Sequence, residues 1–215
     1  MVNALESSPS RSDRIESVEQ LREIIGESMP GLGEKNEDRL NEFSRAYLAR
    51  CPFLVLSTAD AEGHQDASPK GDAAGFVLIE DDHHLVIPDR PGNKLAYGLE
   101  NILANPRVGV LFLIPGTPET FRVNGTAELT TEPALMERLA VRGQPAKLGI
   151  RVTVEEAFFH CAKAFIRSKL WKHEEWGERH KVSFGEMFAK KAKAGPEAAK
   201  ALDRAVEEDY ETNLY

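Results

Sequence analysis

Short apolar segments separated by polar turns dominate the middle of the chain. Apolar runs and alternating apolar and polar positions, bounded by Gly, Pro, Asp or Asn, predict β-strands. The predicted strands cover residues 53–58, 65–68, 76–79, 85–87, 108–114, 120–129 and 150–154, the last extended by Phe158 and Phe159. These strands do not alternate regularly with helices, which argues against a doubly wound parallel sheet. We therefore expect a mostly antiparallel barrel with helices packed on its outside.

Helical periodicity flanks the strands and interrupts them. Apolar residues three and four apart predict helices over residues 15–25, 37–50 and 94–104, and a further helix is expected over 132–141. Residues 162–171 are expected to form a short helix or turn, and composition predicts helices over 186–194 and 197–209. Asp13 and Glu16 resemble a capping box for the first helix, and Pro30-Gly31 is expected to end it. Residues 1–12 are expected to be disordered. The predicted organisation is an N-terminal helical extension (1–50), a strand-rich domain (51–175) and a C-terminal helical tail (176–215).

Composition narrows the classes of function. The chain has 215 residues, enough for one sizeable core, and a formal net charge of -8, which argues against broad nucleic-acid binding. No apolar run approaches the ~20 residues of a membrane span, and the N-terminus lacks the apolar core of a signal peptide. Cys51 and Cys161 are isolated, so we expect two buried free thiols and a cytoplasmic protein.

The segment Pro88-Asp89-Arg90-Pro91-Gly92-Asn93-Lys94 has the features of an anion-binding loop. It is stiffened by two prolines and leads into a predicted helix, whose free N–H groups and dipole favour an anion. Asn93 and Lys94 add a side-chain donor and a positive charge. A surface loop with Lys94 in solvent fits the pattern equally well.

Two further segments place cations near strand ends. In Ser68-Pro69-Lys70-Gly71-Asp72, Ser and Lys can donate to an anion, and Asp72 can accept from a ring N–H or orient a basic side chain. Taken alone, the segment is better explained as a turn. Arg122 and Asn124 alternate with Phe121 and Val123, so they lie on the opposite face of their strand. An outward Arg is more often a solvated charge.

The segment from His160 to Trp171 combines cations with an indole. On a helix, Lys163 and Arg167 share a face, and Trp171 follows four residues later. They are expected either to clamp an anionic aromatic ligand or to form an ordinary basic helix face. His160 beside Cys161 is better explained as a core histidine and a buried thiol than as a nucleophile and base. No paired carboxylates, nucleotide-binding glycine loop or metal-ligand cluster is present in the sequence, so any reactivity must come from a cofactor.

Taken together, the four segments resemble the pyridoxamine 5'-phosphate oxidase-related, FMN-binding family. The motifs S-P-[RK]-G-D, P-D-R-P-G-N, E-T-[LF]-R-V-N-G and H-C-x-K-A-x-x-R-S-x-L-W occur in this order. The resemblance implies an antiparallel split β-barrel, α+β in class, that forms a homodimer with two FMN molecules at the subunit interface. Its implied cofactor-binding residues are Ser68, Pro69, Lys70, Asp72, Ile87, Pro88, Asn93, Lys94, Thr120, Arg122, Lys163, Arg167 and Trp171.

The resemblance also implies roles within that set. Asn93 and Lys94 would contact the phosphate, residues 68–72 and 87–88 would line the ribityl chain and ring, and Thr120 and Arg122 would approach the flavin. Lys163, Arg167 and Trp171 would close the pocket. The oxidase itself has an arginine-lysine pair where this chain has Asn93-Lys94, and its residues for the pyridoxal phosphate substrate are absent, so pyridoxamine phosphate oxidation is not expected.

The expected function is that of an FMN-dependent oxidoreductase of unknown substrate. A reduced nicotinamide or an organic molecule would donate hydride or electrons, and no nucleic acid or membrane partner is expected. The alternatives are a flavin carrier or sensor without turnover, a barrel that binds deazaflavin or haem, and a purely structural dimer.

Overall fold

The computed structural model describes residues 13–214, which belong to two compact units divided between Lys35 and Asn36. The predicted disorder of residues 1–12 lies outside the described residues. In the first unit, helix α1 (Val18–Ile25) begins after Ser17, whose hydroxyl accepts a hydrogen bond from the Gln20 N–H at 3.2 Å. The expected cap at Asp13 is therefore wrong. The helix ends before Gly26, which adopts a positive φ of 79°, so the predicted end at Pro30 is also too late.

The second unit is built on a seven-stranded, entirely antiparallel sheet in the order β2-β1-β5-β6-β7-β4-β3. The strands are β1 (Phe53–Ala59), β2 (Gln65–Gly71), β3 (Leu78–Ile79), β4 (His84–Asp89), β5 (Arg107–Leu113), β6 (Thr120–Thr130) and β7 (Leu148–His160). With its flanking helices this is an α+β fold, and the predicted antiparallel, strand-rich class is confirmed.

Alternation along the strands builds the core. In β1, Leu54 and Leu56 are buried while Val55 and Ser57 are partly exposed. The same period of two places Phe112, Phe121 and other apolar side chains on one face of the sheet, where they form the main core. A second, smaller cluster forms where helix α4 (Pro133–Arg138) covers Val86.

The sheet remains open between the edge strand β2 and the β3–β4 edge. No backbone ladder joins these edges among the described residues. β3 pairs with β4 only at Val86 and Leu85, so the end of β4 has a free edge. Pro69 in β2 and Pro88 in β4 lack the N–H that a ladder needs, and proline is confined to such edge positions.

Helices complete the second unit. They are α2 (Glu42–Leu48), α3 (Tyr97–Ala104), α4, α5 (Lys163–Ser168), α6 (Phe184–Ala192) and α7 (Pro196–Thr212). Most are shorter than predicted: α2 begins only after Asn41, whose side chain accepts from the Ser44 N–H at 3.0 Å. The last two are separated at Lys193–Gly195, close to the predicted break, with Pro196 in the first turn of α7. No helix among residues 13–214 has the length and apolar character needed to cross a bilayer.

An aromatic cluster joins α2 to the end of the long β6–β7 hairpin. The Tyr47 ring packs edge-on against Phe159, with centroids 5.5 Å apart, and Phe121 lies 5.0 Å from Phe159. The Tyr47 hydroxyl donates to the Glu119 carbonyl at 2.9 Å. Burial raises the pKa of Tyr47 to about 12, so this hydroxyl keeps its proton at neutral pH.

The β-bulge at Asn124/Gly125 generates a test of the fold. A Cβ added at Gly125 would lie 1.9 Å from the Thr153 carbonyl oxygen, a backbone atom that cannot move aside without breaking the β6–β7 ladder. We expect Gly125→Ala to lower the free energy of unfolding by about 3 kcal/mol, measured by urea denaturation.

The matched control is Gly109→Ala in β5, where the added Cβ would make ordinary contacts with the Asn124 side chain at 3.5 Å and with Ser57 Cβ at 3.9 Å. It should unfold within about 0.5 kcal/mol of the parent protein. Equal stability of the two variants would contradict this account of the bulge.

Candidate functional site

Residues 68–71 belong to β2, so the explanation of this segment as a turn is wrong. Ser68 and Lys70 are half-buried on the same side of the strand, and Pro69 points to the exposed side. In the ladder with β1, Ser68 lies opposite Leu56, Pro69 opposite Val55 and Lys70 opposite Leu54. The strand thus fixes where each polar side chain points.

Two ion pairs join this strand to the end of β4. Lys70 Nζ lies 3.0 Å from Asp89 Oδ1, and Arg90 Nε donates to Asp72 Oδ2 at 2.6 Å. Arg90 also donates through Nη1 to the Leu139 carbonyl at 3.0 Å. We call residues 68–72 and 87–90 together the seam. Two motifs that are separate in the sequence are therefore brought side by side, and Asp72 pairs with the basic side chain of Arg90.

The loop after the seam corrects the predicted position of Lys94. Helix α3 begins at Tyr97 and not at Lys94, so Lys94 lies in the loop that precedes the helix. Lys94 and Ala96 both adopt left-handed backbone conformations, with φ of 60° and 57°. Such conformations are costly for residues other than glycine and concentrate at ligand sites. The Asn93 side-chain oxygen accepts from the Leu95 N–H at 3.0 Å, which stabilises this turn.

Helix α3 starts without a side-chain cap and packs against β1, β6 and β2, the last of which belongs to the seam. A Cβ at Gly98 would lie 3.5 Å from the Ser68 hydroxyl oxygen and 3.6 Å from Asp66 Oδ2, so the first turn of the helix reaches β2 beside both a hydroxyl and a carboxylate. Asn101 Nδ2 donates to Thr58 Oγ1 at 3.0 Å and attaches the helix to β1. Free N–H groups at the start of α3 and the Ser68 hydroxyl form a set of donors suited to an anion.

Ile87 is buried in the main core, and Pro88, which points to the opposite face of β4, is buried as well. The outer edge of this strand end is unpaired, so its backbone is available for contact. The expected place of Ile87 and Pro88 along a bound molecule stays a prediction.

Arg122 lies on the outer face of the sheet, as the alternation predicts. Its neighbours Phe121 and Val123 are buried, and its guanidinium carbon lies 5.9 Å from the centre of the Phe158 ring. Leu111 and Val55 follow Arg122 in one cross-strand row that ends at Pro69. Three strand spacings separate Arg122 from Pro69, roughly 14 Å, so Arg122 does not join the seam within one chain. Thr120, two residues earlier in β6, is buried.

The segment after β7 differs from the predicted helix. Helix α5 ends at Ser168 because Lys169 is left-handed, so Trp171 does not share a helical face with Lys163 and Arg167. The Trp171 ring stacks on Phe165 at 5.5 Å, and its indole N–H donates to the Thr117 carbonyl at 3.0 Å. Trp171 is thereby attached to the β5–β6 turn.

Lys163 and Arg167 are exposed and form no ion pair with any residue in the range 13–214. Cys161 is exposed as well, so the expectation of two buried thiols holds only for Cys51. His160 is half-buried and lies opposite Thr120 in the ladder.

Two cavities adjoin these elements. One, of about 430 Å3, lies beside the Asp72–Arg90 ion pair and is lined by residues 72–79 and 138–141. The other, of about 510 Å3, lies between α2 and the β5–β6 turn and is lined by aromatic side chains, with Arg50 at its rim and Thr117 shared with the Trp171 contact. Both volumes fall in the range of small-molecule sites.

Sequence analysis missed the roles of Asp89 and Arg90. Both lie within a motif that was singled out, but residues 18 and 19 positions apart give no signal of contact unless the strand pairing is known. It also missed a cluster of Asp60, Glu62 and His64 in the β1–β2 turn, whose ligand atoms lie within 4.8 Å of one another. Asp60 there accepts from the His64 side chain at 2.7 Å and from its backbone, and these bonds lower the Asp60 pKa. The cluster is accounted for as a stabilised turn.

Comparison with solved structures finds similar folds at low identity. HupZ of Group A Streptococcus is 21% identical, with a TM-score of 0.45, over 56% of this chain and 93% of that chain. A putative pyridoxamine 5'-phosphate oxidase from Lactobacillus delbrueckii is 23% identical, with a TM-score of 0.43, over 57% and 95%. An FMN-binding protein from Syntrophomonas wolfei is 12% identical, with a TM-score of 0.40, over 54% and 80%. These similarities are too weak to carry an argument about ligand or activity.

No curated protein matches the sequence significantly. The family model described as pyridoxamine 5'-phosphate oxidase matches residues 40–161, more than half of the chain, from the start of α2 through β7. This range includes the seam, the loop around Lys94 and the strand that carries Arg122. The chain belongs to the pyridoxamine 5'-phosphate oxidase family.

Proposed function

We propose that this protein is a homodimeric FMN-dependent oxidoreductase. The observation that carries the proposal is that the Lys70–Asp89 and Arg90–Asp72 ion pairs bring two cation-bearing motifs together, and that one of these motifs lies on β2, which also approaches the uncapped start of α3 at Ser68. Family membership makes a flavin the natural ligand for such a place. When bound, FMN would supply hydride and electron transfer, which the side chains of the site do not offer.

The residues present fit a phosphate monoester. Lys94 lies in the loop before α3 and forms no ion pair with any residue that the structure describes, so its charge is available. The Ser68 hydroxyl and the backbone N–H groups of the first turn of α3 are neutral donors beside it. Together they would hold the phosphate and orient the rest of the ligand along the seam.

The outer face of the sheet supports a dimer. In an antiparallel sheet with one face in solvent, the side chains on that face are normally polar. Here Phe53 (38% exposed), Val55, Leu111 and Leu113 lie on the outer face of β1 and β5. A second copy of this chain packed on that face would cover them and bring a partner surface to Arg122. Trp171, Lys163 and Arg167 would then close the pocket.

The first test identifies the cofactor and the role of Lys94. We expect the purified protein to release FMN, identified by mass, and Lys94→Met to weaken FMN binding about tenfold to hundredfold because a charged hydrogen bond to the phosphate is lost. Fluorescence titration measures the affinity. Lys190→Met, an exposed lysine of α6, is the matched control and should bind normally. A released deazaflavin or haem, or unchanged affinity in Lys94→Met, would overturn the assignment.

A second test concerns redox function. A cation beside the ring favours the more negatively charged state of the cofactor, so Arg122→Ala should lower its midpoint potential by on the order of 20 mV, measured by anaerobic spectroelectrochemistry. Arg122→Lys should retain most of the effect. We also expect anaerobic NADH, NADPH or an organic donor to bleach the flavin absorbance. A bound flavin that no donor reduces would favour a carrier or sensor.

The third test concerns the dimer. Leu111→Glu places a charge on the outer face without touching the core, because Leu111 points away from Val110 and Phe112. We expect the parent protein to sediment as a dimer and this variant as a monomer with unchanged far-UV circular dichroism. Glu128→Gln, at an exposed position of β6, serves as the control. A monomeric parent protein, or a dimeric Leu111→Glu variant, would contradict the proposed interface.

A further inference from the structure

The net positive charge of the seam and the loop after it is too small to neutralise a phosphate monoester. Segments 68–72 and 88–94 contain three cations, Lys70, Arg90 and Lys94, and two carboxylates, Asp72 and Asp89. Both carboxylates are paired with seam cations, at 2.6 and 3.0 Å. Only the charge of Lys94 is therefore left uncompensated within these segments, whereas a phosphate monoester carries close to two negative charges at neutral pH.

The two ion pairs differ in how easily they can open. The Asp72 side chain is 2% exposed, and its partner Arg90 is held a second time by the Leu139 carbonyl. Breaking this pair would leave a buried charge without a partner, which is strongly unfavourable. The Arg90–Asp72 pair is therefore a fixed part of the fold.

The Lys70–Asp89 pair is open to exchange. Its side chains are 22% and 28% exposed, and a single hydrogen bond joins them. Asp89 is the last residue of β4, and residues 91–95 after it are exposed, so the carboxylate can turn toward solvent without breaking the ladder with β7. An anion that reaches Lys70 from the side of Ser68 and Lys94 competes directly with Asp89.

We propose that Asp89 sets the charge selectivity of the seam by occupying Lys70 until a dianionic phosphate ester displaces it. This inference rests on the proposed function. A dianion attracts Lys70 more strongly than one carboxylate does, and at the same time it repels Asp89. A flavin without a phosphate neither attracts Lys70 nor repels Asp89 in this way, so it binds with the Lys70–Asp89 pair intact. Asp89 thereby weakens FMN binding, and Lys70 contributes fully only after the exchange.

The experiment compares FMN with riboflavin, since the ratio of their dissociation constants isolates the phosphate. In Asp89→Asn, which keeps the size of the side chain and removes its charge, we expect FMN to bind about tenfold more tightly and riboflavin to bind within about twofold of the parent protein. Asp82→Asn is the matched control. It removes a carboxylate that pairs with Arg45 at 2.5 Å at the far end of β4, and should leave both affinities unchanged.

A double-mutant cycle guards against a purely structural effect. Lys70→Met should weaken FMN binding more in the Asp89→Asn background than in the parent protein, because Lys70 no longer has a competing partner. If Asp89→Asn unfolds, Asp89→Ser is measured in its place, and thermal unfolding without ligand confirms that each variant is folded.

The outcomes separate the two proposals. A parent protein that binds neither flavin overturns the proposed function. A parent protein that binds FMN, with an FMN-to-riboflavin ratio that Asp89→Asn leaves unchanged or lowers, overturns only the role of Asp89. If the effects of Lys70→Met and Asp89→Asn on FMN affinity are additive, the exchange is also contradicted.

Discussion

Two ion pairs hold together an edge that backbone hydrogen bonds do not close. Pro69 and Pro88 remove ladder donors from β2 and from the end of β4, and the sheet consequently stays open there. The Lys70–Asp89 and Arg90–Asp72 contacts join the same two strands through their side chains. A ladder would place the backbones of the two strands in mutual contact, whereas side-chain pairs hold them together while leaving their backbone edges unpaired, and β2 also contacts the start of α3. The open edge and the candidate site are therefore one feature of the molecule.

The burial of each ion pair in the seam determines how strongly that pair is held. A carboxylate that is 2% exposed, such as Asp72, is stable in its charged form only with a partner, and Arg90 supplies that partner while also binding the Leu139 carbonyl. The β2 and β4 ends are in this way tied to the residue that follows α4. The neighbouring pair is more exposed and more weakly held. The fixed Arg90–Asp72 pair keeps the shape of the site, while exchange of the Lys70–Asp89 pair changes the charge that the site presents to a ligand.

Much of the site was accessible from the sequence, but its geometry was not. The motifs around Lys70, Lys94 and Arg122 were found from residue types and order alone. The start of α3 was placed three residues early because nothing in the residue types reveals that Lys94 and Ala96 are left-handed. Trp171 was placed on a helix for the same reason, since Lys169 ends α5 by a left-handed conformation that lysine rarely adopts. Backbone conformations imposed by tertiary packing are not encoded in local propensity.

The sequence by itself determined the antiparallel class, the position of most strands and the outward direction of Arg122, because alternation with a period of two is a local property of the chain. Tertiary structure alone decided which charges meet. Lys70 and Asp89 are 19 residues apart, and only the curvature of the sheet brings them within 3.0 Å. It also decided that Ile87 is buried and Cys161 exposed. Pairing and burial depend on how distant segments pack, and that information is distributed over the whole fold.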